Sequence, residues 1–351
     1  MTTTVEPVRQ DVAPESVAAR RLMEKIFKAR ELAVIAVLVV MLGATQVSNG
    51  EFLSQQGIKD LLLNATILVL VAIGQAMVVI TRNVDLSVGS VLGISAFAAG
   101  LYLQDGGNAL VAVLLAVAIG ALFGVVNGAL VSLGKVPALV VTLGTLYIVR
   151  GIDSIWVGSR QITASDLPGG FVDFGHDGIS VVPYLALLTV AVLVLVAYYL
   201  RSYRSGRDMY ALGSNPEAAR LAGVPVRARV MTAYVVCGAL AGLAGALYLA
   251  RFGNVDSNTG NGYELMVVSA VVVGGVAFTG GSGTVYGAAL GAVLLTSING
   301  VLPALGVSSV WVTAINGFLL LLAIAVDRVL ALRVAGALRK KAAQTRSARH
   351  A

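Results

Sequence analysis

The sequence contains few of the residues on which enzymes and metal proteins rely. Of its 351 residues one is a cysteine, Cys237, and two are histidines, His176 and His350. This scarcity excludes a disulfide within the chain and argues against any cysteine or histidine metal cluster, so we expect no metal site. Charged residues make up only 12% of the chain, about half the share typical of soluble domains. Paired acids and nucleophile–base sets are missing as well, so the sequence does not predict an enzyme.

Apolar residues and glycine take the place of the missing types. Hydrophobic residues account for 57% of the chain, the mean hydropathy is +0.86, and there are 40 glycines. Apolar stretches of about 18 or more residues are typical of membrane-spanning helices, in which glycine is well tolerated. The sequence therefore predicts an all-α integral membrane protein with about ten transmembrane helices. The predicted spans are 31–48, 61–80, 86–103, 109–133, 137–157, 179–200, 230–250, 264–278, 284–302 and 309–331, and the third and eighth are short.

The positive charges predict the orientation of these spans. If the N-terminus is cytoplasmic, 21 of the 25 lysines and arginines fall on the inner side, as the positive-inside rule requires. Both termini are then cytoplasmic, with a basic N-terminal segment 1–30, a transmembrane body 31–331 and a basic tail 332–351. Because topology explains the net charge of +7, no nucleic-acid partner is expected. The expected surroundings are membrane lipid.

Three segments between the spans are informative. Residues 82–85 form a very short inner turn, after which Asp85 or Ser87 is suited to cap the next helix. The outer segment 158–178 has the composition of a surface loop. The inner loop 201–229 contains a helix of its own, with Ser214 or Asn215 as N-cap, Pro216 at the first position, Glu217 in the first turn and a stop at Gly223. Such a helix is either a docking element for another protein or a surface helix without a partner.

Glycine-rich stretches in the chain do not form nucleotide-binding motifs. "GGSGTVYG" at 280–287 has Tyr286 in place of the third glycine of a dinucleotide loop. "GALVSLGKV" at 128–136 has the wrong glycine spacing and Val136 in place of the Ser or Thr of a phosphate loop. We therefore expect no cofactor on this chain. If transport is driven by ATP, a separate subunit binds ATP and Mg²⁺.

Polar residues inside the apolar runs are candidates for a solute pathway. Asn-Gly occurs at 127–128, 299–300 and 316–317, where the flanks are too long and apolar for a hairpin turn, so we expect helix with an inward-facing amide. These side chains could line a route for a polyhydroxyl solute or form hydrogen bonds between helices. Arg150 and Asp153 are expected to form a local pair near the outer interface. The pathway candidates are Gln75, Asp85, Ser87, Asn127, Thr142, Thr145, Asn299 and Asn316.

Small residues four positions apart predict close helix packing within the chain. They occur at Gly120/Gly124/Gly128, Gly238/Gly242 and Gly287/Gly291.

Four segments resemble the permease subunits of bacterial ATP-binding-cassette importers of the ribose, xylose, rhamnose and autoinducer-2 type. They are "GQAMVVITRNVDLSVGSVLG" (74–93), "VPALVVTLGTLYIVRG" (136–151), "ALGSNPEAARLAGVPV" (211–226) and "GYELMVVSAVVVGGVAFTGGSGTVYGAALGA" (262–292). The resemblance runs from about residue 31 to residue 331. Branched-chain amino-acid permeases share the general plan, but "DLSVGS" is similar to the sugar branch. One departure is Thr81-Arg82-Asn83-Val84, where many relatives carry glycines and isoleucine.

The resemblance implies a type II importer-like permease that works as a homo- or heterodimer. A cytoplasmic ATPase and an extracytoplasmic sugar-binding protein would complete the complex, and alternating access would couple ATP hydrolysis to uptake. It also implies that Ser214, Asn215, Pro216, Glu217, Ala218, Ala219 and Gly223 form the coupling helix that docks into the ATPase. It leaves the sugar open.

Two rival functions remain. An ion-coupled secondary transporter is the first, although carboxylates within the spans are scarce. A membrane-embedded enzyme is the second, and the lack of a catalytic constellation disfavours it.

Overall fold

The computed structural model describes residues 14–308, 311, 314–319, 321, 322, 325 and 329, with side chains from residue 31 onward. The chain is helical apart from one short hairpin. The helices are α1 (Pro14–Ser48), α2 (Gln55–Ile80), α3 (Val88–Gln104), α4 (Ala109–Ser132), α5 (Ala138–Val157), α6 (Gly169–His176), α7 (Tyr184–Ser202), α8 (Arg204–Ser214), α9 (Pro216–Leu221), α10 (Val226–Phe252), α11 (Tyr263–Val273) and α12 (Val285–Ala304). A 3₁₀ turn covers Ala164–Asp166, and strands β1 (Gly178–Ile179) and β2 (Val182–Pro183) form the antiparallel hairpin.

Long apolar sequences and polar caps account for these helices. Within the described residues, seven helices are long and apolar enough to cross a membrane: α1 from Glu31, α2, α4, α5, α7, α10 and α12. Side chains of Ser54, Asn108 and Thr284 accept hydrogen bonds from the exposed N–H groups at the starts of α2, α4 and α12, as N-caps do.

Helix α2 lies at the centre of the bundle. Nearly all of its residues from Leu63 to Ile80 are buried, against α10, α12, α11 and α7. By contrast, α4, α5 and α7 expose large apolar side chains, including Leu122, Tyr147, Ile155 and Leu195. Because water does not stabilise such surfaces, these faces are suited to lipid or to a second membrane protein.

The predicted glycine packing is confirmed. A Cβ atom placed on Gly120 or Gly238 would collide with the backbone of the opposing helix, so α4 and α10 are in backbone contact along this line. Gly287 and Gly291 of α12 approach the backbone of α11 and Gly274 in the same way.

Nine of the ten predicted spans coincide with helices. The third and eighth are short, as expected: α3 has 17 residues and α11 has 11. Of the tenth, 309–331, residues 314–319 are helical and much of the remainder lies outside the described residues. The tail 332–351 also lies outside them, so the number of crossings and the side of the termini stay predictions.

Several boundaries were wrong. The sixth span begins at Tyr184 instead of 179, because residues 178–183 pair as the β-hairpin. The predicted surface loop 158–178 contains α6, whose Phe171 is buried against the outer ends of the bundle. The inner loop holds two helices, since α8 precedes the expected one and ends at Ser214.

Basic turns that are far apart in sequence gather at one end of the bundle. Arg82 contacts Ser214, and Lys135 lines the same groove as Arg220 and Arg227. We call this the inner end, because the positive-inside rule assigns it to the cytoplasm, and the opposite end the outer end.

Candidate functional site

The segment 83–87, here called the returning segment, folds back into the bundle after α2 ends. The Val84 carbonyl accepts hydrogen bonds from the Tyr234 hydroxyl of α10 (3.2 Å) and the Thr142 hydroxyl of α5 (3.4 Å). With its amide oriented to satisfy both groups, Gln75 forms two hydrogen bonds with the Asp85 backbone (3.1 and 3.2 Å). Gln75 lies five residues before the end of α2, about 7.5 Å along the axis. The predicted inner turn at 82–85 is therefore exposed only at Arg82, whereas Asn83 and Val84 are half-buried and Asp85 is buried.

A chain of hydrogen bonds begins at Asp85. Its Oδ1 accepts from the Ser87 hydroxyl (2.6 Å) and the Ser87 N–H (2.9 Å). Asn127 donates to Ser87 Oγ (2.9 Å) and lies 3.5 Å from Asp85 Oδ1, and its own oxygen accepts from Thr145 (2.6 Å). Asp85 and Asn127 are each 1% exposed. This Asp85 network joins the returning segment to α4 and α5 in the interior.

The expected capping geometry is partly wrong. Ser87 occupies the N-cap position of α3, but its side chain makes no capping bond. The Ser87 hydroxyl and the Ser87 N–H instead both donate to the Asp85 carboxylate, just before the first residue of α3. No ion pair to Asp85 is present in the part of the chain that the structure describes. Hydrogen bonds from neutral donors, Ser87 and Asn127, therefore hold this carboxyl group in place.

Helix α9 matches its prediction in detail. Asn215 is the N-cap, and its Oδ1 accepts from the Ala218 N–H (3.1 Å). Pro216 begins the helix, and Glu217 pairs with Arg220 on the surface (2.9 Å). Gly223 follows with φ +79°, a left-handed conformation that favours glycine. Ser214 is the last residue of α8 and not the N-cap.

One face of α9 packs on the protein and the other is open. Ala219 is 4% exposed, whereas Leu221 is 83% exposed. The exposed Leu221 gives the open face of α9 an apolar side chain that a partner protein could cover.

The start of α9 is attached to the returning segment. Arg82, the residue before that segment, donates to the Ser214 carbonyl (3.2 Å). The Gly281 N–H donates to the Ile80 carbonyl (2.9 Å), and Ser214 Oγ donates to the Gly281 carbonyl (3.4 Å). These contacts make the inner junction, in which α2, α8 and the loop before α12 meet.

Two further contacts stiffen α8. Tyr210 donates to the Gly283 carbonyl (3.1 Å), and burial raises the pKa of Tyr210 to about 12, so its hydroxyl stays a donor. Asp208 accepts two hydrogen bonds from Arg229 at the start of α10 (3.1 and 2.9 Å). These contacts fix α8 to the loop before α12 and to the start of α10.

A groove of about 500 Å³ lies beside α9 at the inner end. Its walls include the basic residues Arg82, Lys135, Arg220 and Arg227, and the acid Glu217. The excess of positive charge favours an acidic partner segment.

The remaining pathway candidates lie apart from the Asp85 network. Asn316 donates to Asn299 Oδ1 (3.2 Å), and Asn299 faces a cavity of about 210 Å³ between α2, α10, α11 and α12. The eight candidates thus form two groups: Gln75, Asp85, Ser87, Asn127, Thr142 and Thr145 around the returning segment, and Asn299 with Asn316.

The Arg150–Asp153 pair is present as expected, at 3.9 Å. Arg150 also donates to the carbonyl of Thr259 (2.8 Å) and so holds the loop that leads into α11. Sequence reasoning missed this loop contact and the contacts of Tyr234 and Arg82, because their partners are distant in sequence. It also missed Phe252 and Tyr263, two aromatic residues that line the 210 Å³ cavity. Within the described residues no group of three or more His, Cys, Asp or Glu could hold a metal ion.

Comparison with known proteins identifies the family. Residues 57–324 match the family described as "Branched-chain amino acid transport system / permease component". The autoinducer 2 import system permease protein LsrC of Enterobacter sp. (strain 638) is 38% identical over 268 residues, 76% of this chain and 78% of that protein. LsrC of Salmonella typhi is 37% identical over 263 residues, 75% of this chain and 74% of the relative. LsrC of Escherichia coli O9:H4 (strain HS) is 34% identical over 261 residues, which are 74% of this chain and 76% of that protein. None of the solved structures matches this chain.

These matches confirm the resemblance noted from the motifs. The relatives are permease proteins of import systems, which are transport components and not enzymes. The protein is accordingly a multi-pass protein of the bacterial inner membrane. The chain belongs to the permease family of ATP-binding-cassette sugar importers in which the autoinducer 2 import permeases are found.

Proposed function

We propose that this chain is the membrane subunit of an ATP-driven importer of a monosaccharide-sized, polyhydroxylated solute. Ribose, xylose and rhamnose represent the proposed class, and the relatives are named for import of autoinducer 2. Solute passes from an extracytoplasmic binding protein into the cytoplasm by alternating access. ATP and Mg²⁺ bind to a separate cytoplasmic ATPase, and a second permease copy or a similar permease completes the pore.

The observation that carries this proposal is the way α9 is held. It is capped at Asn215, stopped at Gly223, exposed at Leu221 and fixed to the bundle through the inner junction. Capping stabilises any short helix, but the inner junction in addition connects α9 to the end of α2, as a coupling element requires. We assign residues 214–223 as the coupling helix, with the basic groove beside it accepting an acidic surface of the ATPase.

The inner junction gives the coupling a physical route. If the ATPase displaces α9, the Arg82–Ser214 contact transmits the displacement to the first residue before the returning segment. The Asp85 network then has to exchange partners, because its hydrogen bonds depend on the depth of that segment. Two-state rearrangements of this kind are the usual basis of switching.

The rival function is an ion-coupled secondary transporter. Its support is the buried Asp85, which could bind a proton or cation. Asp85 already accepts from Ser87 and Asn127, however, and such a carrier has no use for a fixed helix at the inner end.

The test is a substitution at Gly223 in the reconstituted complex of permease, ATPase and binding protein. Gly223→Val forces a β-branched side chain into the left-handed conformation and distorts the end of α9. We expect assembly in the membrane to persist, and solute uptake per ATP hydrolysed to fall at least tenfold.

Gly106→Val is the matched control. Gly106 has φ +82° and, like Gly223, has open space within 4 Å of the position that a Cβ atom would take, but it lies at the outer end. The two variants should lose similar stability, about 1–2 kcal/mol, while only Gly223→Val is uncoupled. Normal uptake per ATP in Gly223→Val would contradict the proposal.

A further inference from the structure

The outer half of the bundle contains a cavity that the Asp85 network does not use. It has a volume of about 210 Å³ and is lined by Asn64, Leu68, Phe252, Tyr263, Met266, Thr296, Asn299 and Gly300. These residues come from α2, α10, α11 and α12, which are the helices that surround the centre of the bundle. This volume is below the range of about 300–1,000 Å³ that drug-sized ligands occupy, so it suits a smaller molecule.

Several polar groups in this cavity have no hydrogen-bond partner of their own. Within the described residues no side-chain hydrogen bond is made by Asn64, Thr296 or the Tyr263 hydroxyl. The Asn299 amide nitrogen faces the sulfur of Met266, a weak acceptor, at 4.0 Å. Behind it, Asn316 donates to Asn299, and its own oxygen is buried without a partner. Tyr263, Thr296 and Asn299 are half-buried and Asn64 is exposed, so their polar groups are free to bind a solute that enters the cavity from the outer end.

Aromatic rings supply the apolar part of the lining. Phe252 packs on Tyr248 with centroids 4.5 Å apart, and Tyr248 meets Tyr263 edge-on at 6.3 Å. Rings that are fixed in this way present flat apolar faces next to the amides and hydroxyls. Flat apolar faces beside groups that both donate and accept hydrogen bonds match the two faces of a sugar ring, one of C–H groups and the other of hydroxyls.

We propose that this outer cavity is a low-affinity binding site for a five- or six-carbon polyhydroxylated solute. Asn64, Thr296 and Asn299 bind its hydroxyl groups, and Phe252 and Tyr263 pack on its apolar face. The site rests on the proposed function, and within that function it is the first place at which the solute binds to the permease.

The lining also excludes two other occupants. It contains no charged side chain, so a zwitterionic amino acid would lose the hydration of both charges without gaining an ion pair. A lipid acyl chain would leave the four polar side chains unpaired. The nearby ion pair of Arg251 with Asp60 (3.0 Å) is already formed and ties α10 to α2.

The experiment measures solute binding to the full chain in lipid nanodiscs, with neither ATPase nor binding protein present. Saturation-transfer NMR with D-ribose as the probe detects millimolar binding, and L-leucine at the same concentration tests the amino-acid alternative. We expect D-ribose to bind and L-leucine not to compete. Loss of one hydrogen bond to the solute should weaken binding about 3- to 10-fold, so Thr296→Val and Asn299→Leu should each show that loss.

Thr189→Val is the matched control for Thr296→Val. Thr189 is on α7, away from the cavity, and donates to Leu185 in its own helix. Binding by this control should equal that of the unaltered protein. Equal binding by all variants, competition by L-leucine, or no binding of D-ribose to the unaltered protein would each overturn the inference. If D-ribose fails to bind while the complete complex still imports solute with ATP, only the cavity assignment is wrong; if import itself fails, the proposed function is wrong.

Discussion

Alanine substitution should change stability in opposite directions at two glycines, Gly120 in the close contact between α4 and α10 and Gly144 on α5. A Cβ on Gly120 would lie 2.8 Å from the backbone nitrogen of Gly242 and 2.9 Å from its Cα, and closer still to the Gly238 carbonyl oxygen. Reaching an ordinary contact of about 3.5 Å requires the two helices to move apart along their whole line of contact. Gly144 on α5, in contrast, has nothing within 4 Å of the same position.

The magnitudes follow from these distances. Overpacking costs about 1–3 kcal/mol, and more where only backbone can yield, whereas replacing a helical glycine by alanine gains about 0.8–1 kcal/mol. Only backbone atoms lie against the Gly120 Cβ position, so the cost should reach at least the upper end of this range. Gly120→Ala should therefore lower the free energy of unfolding by about 2 kcal/mol or more after that gain is included. Gly144→Ala should raise it by up to about 1 kcal/mol.

The assay is thermal unfolding of the detergent-purified protein. At about 2 °C per kcal/mol for a chain of this size, the two midpoints should differ by roughly 4–8 °C. Gly238→Ala should lower the free energy of unfolding less in the Gly120→Ala variant than in the unaltered protein, because the two helices are already apart in that variant. A midpoint for Gly120→Ala at or above that of Gly144→Ala would refute the packing argument.

Two further predictions concern the returning segment. Arg82 has φ 64°, a conformation that costs a non-glycine residue about 1–3 kcal/mol. Arg82→Gly should therefore leave the thermal unfolding midpoint unchanged or raised despite the lost Ser214 contact, whereas Arg82→Val should lower it. A higher midpoint for Arg82→Val than for Arg82→Gly would contradict the left-handed backbone at this residue. Asn127→Leu removes the three contacts that Asn127 makes to Asp85, Ser87 and Thr145, so at about 0.6 kcal/mol each it should cost about 2 kcal/mol in an equilibrium SDS-unfolding titration and reduce uptake by the complex. An unchanged titration would show that the Asp85 network does not hold the segment.

Local sequence signals were sufficient for the long helices and for α9. Apolar length places α2, α4 and α10, and the order Asn215, Pro216, Glu217 and Gly223 specifies a short capped helix without help from the rest of the chain. These features depend on residues that are neighbours in sequence, so a single sequence contains them.

The features that were missed depend on residues that are distant in sequence. Residues 83–87 look like the end of a turn followed by an apolar helix. They are held inside the bundle by side chains on four other helices, Gln75, Asn127, Thr142 and Tyr234. The outer cavity is likewise assembled from four helices, so neither Phe252 nor Tyr263 stands out in its own segment. No local pattern encodes such contacts, which arise from packing.

The central claim is that this chain forms a transport pathway without an energy source of its own, and that a separate ATPase supplies the energy through α9. The most direct measurement is D-ribose uptake into proteoliposomes, first with the permease alone under an imposed proton or sodium gradient, and then with the ATPase, the binding protein and ATP. The account predicts no gradient-driven uptake by the permease alone, and uptake by the complex that stops when ATP is omitted. Gradient-driven accumulation by the isolated permease, in the absence of any nucleotide, would contradict it.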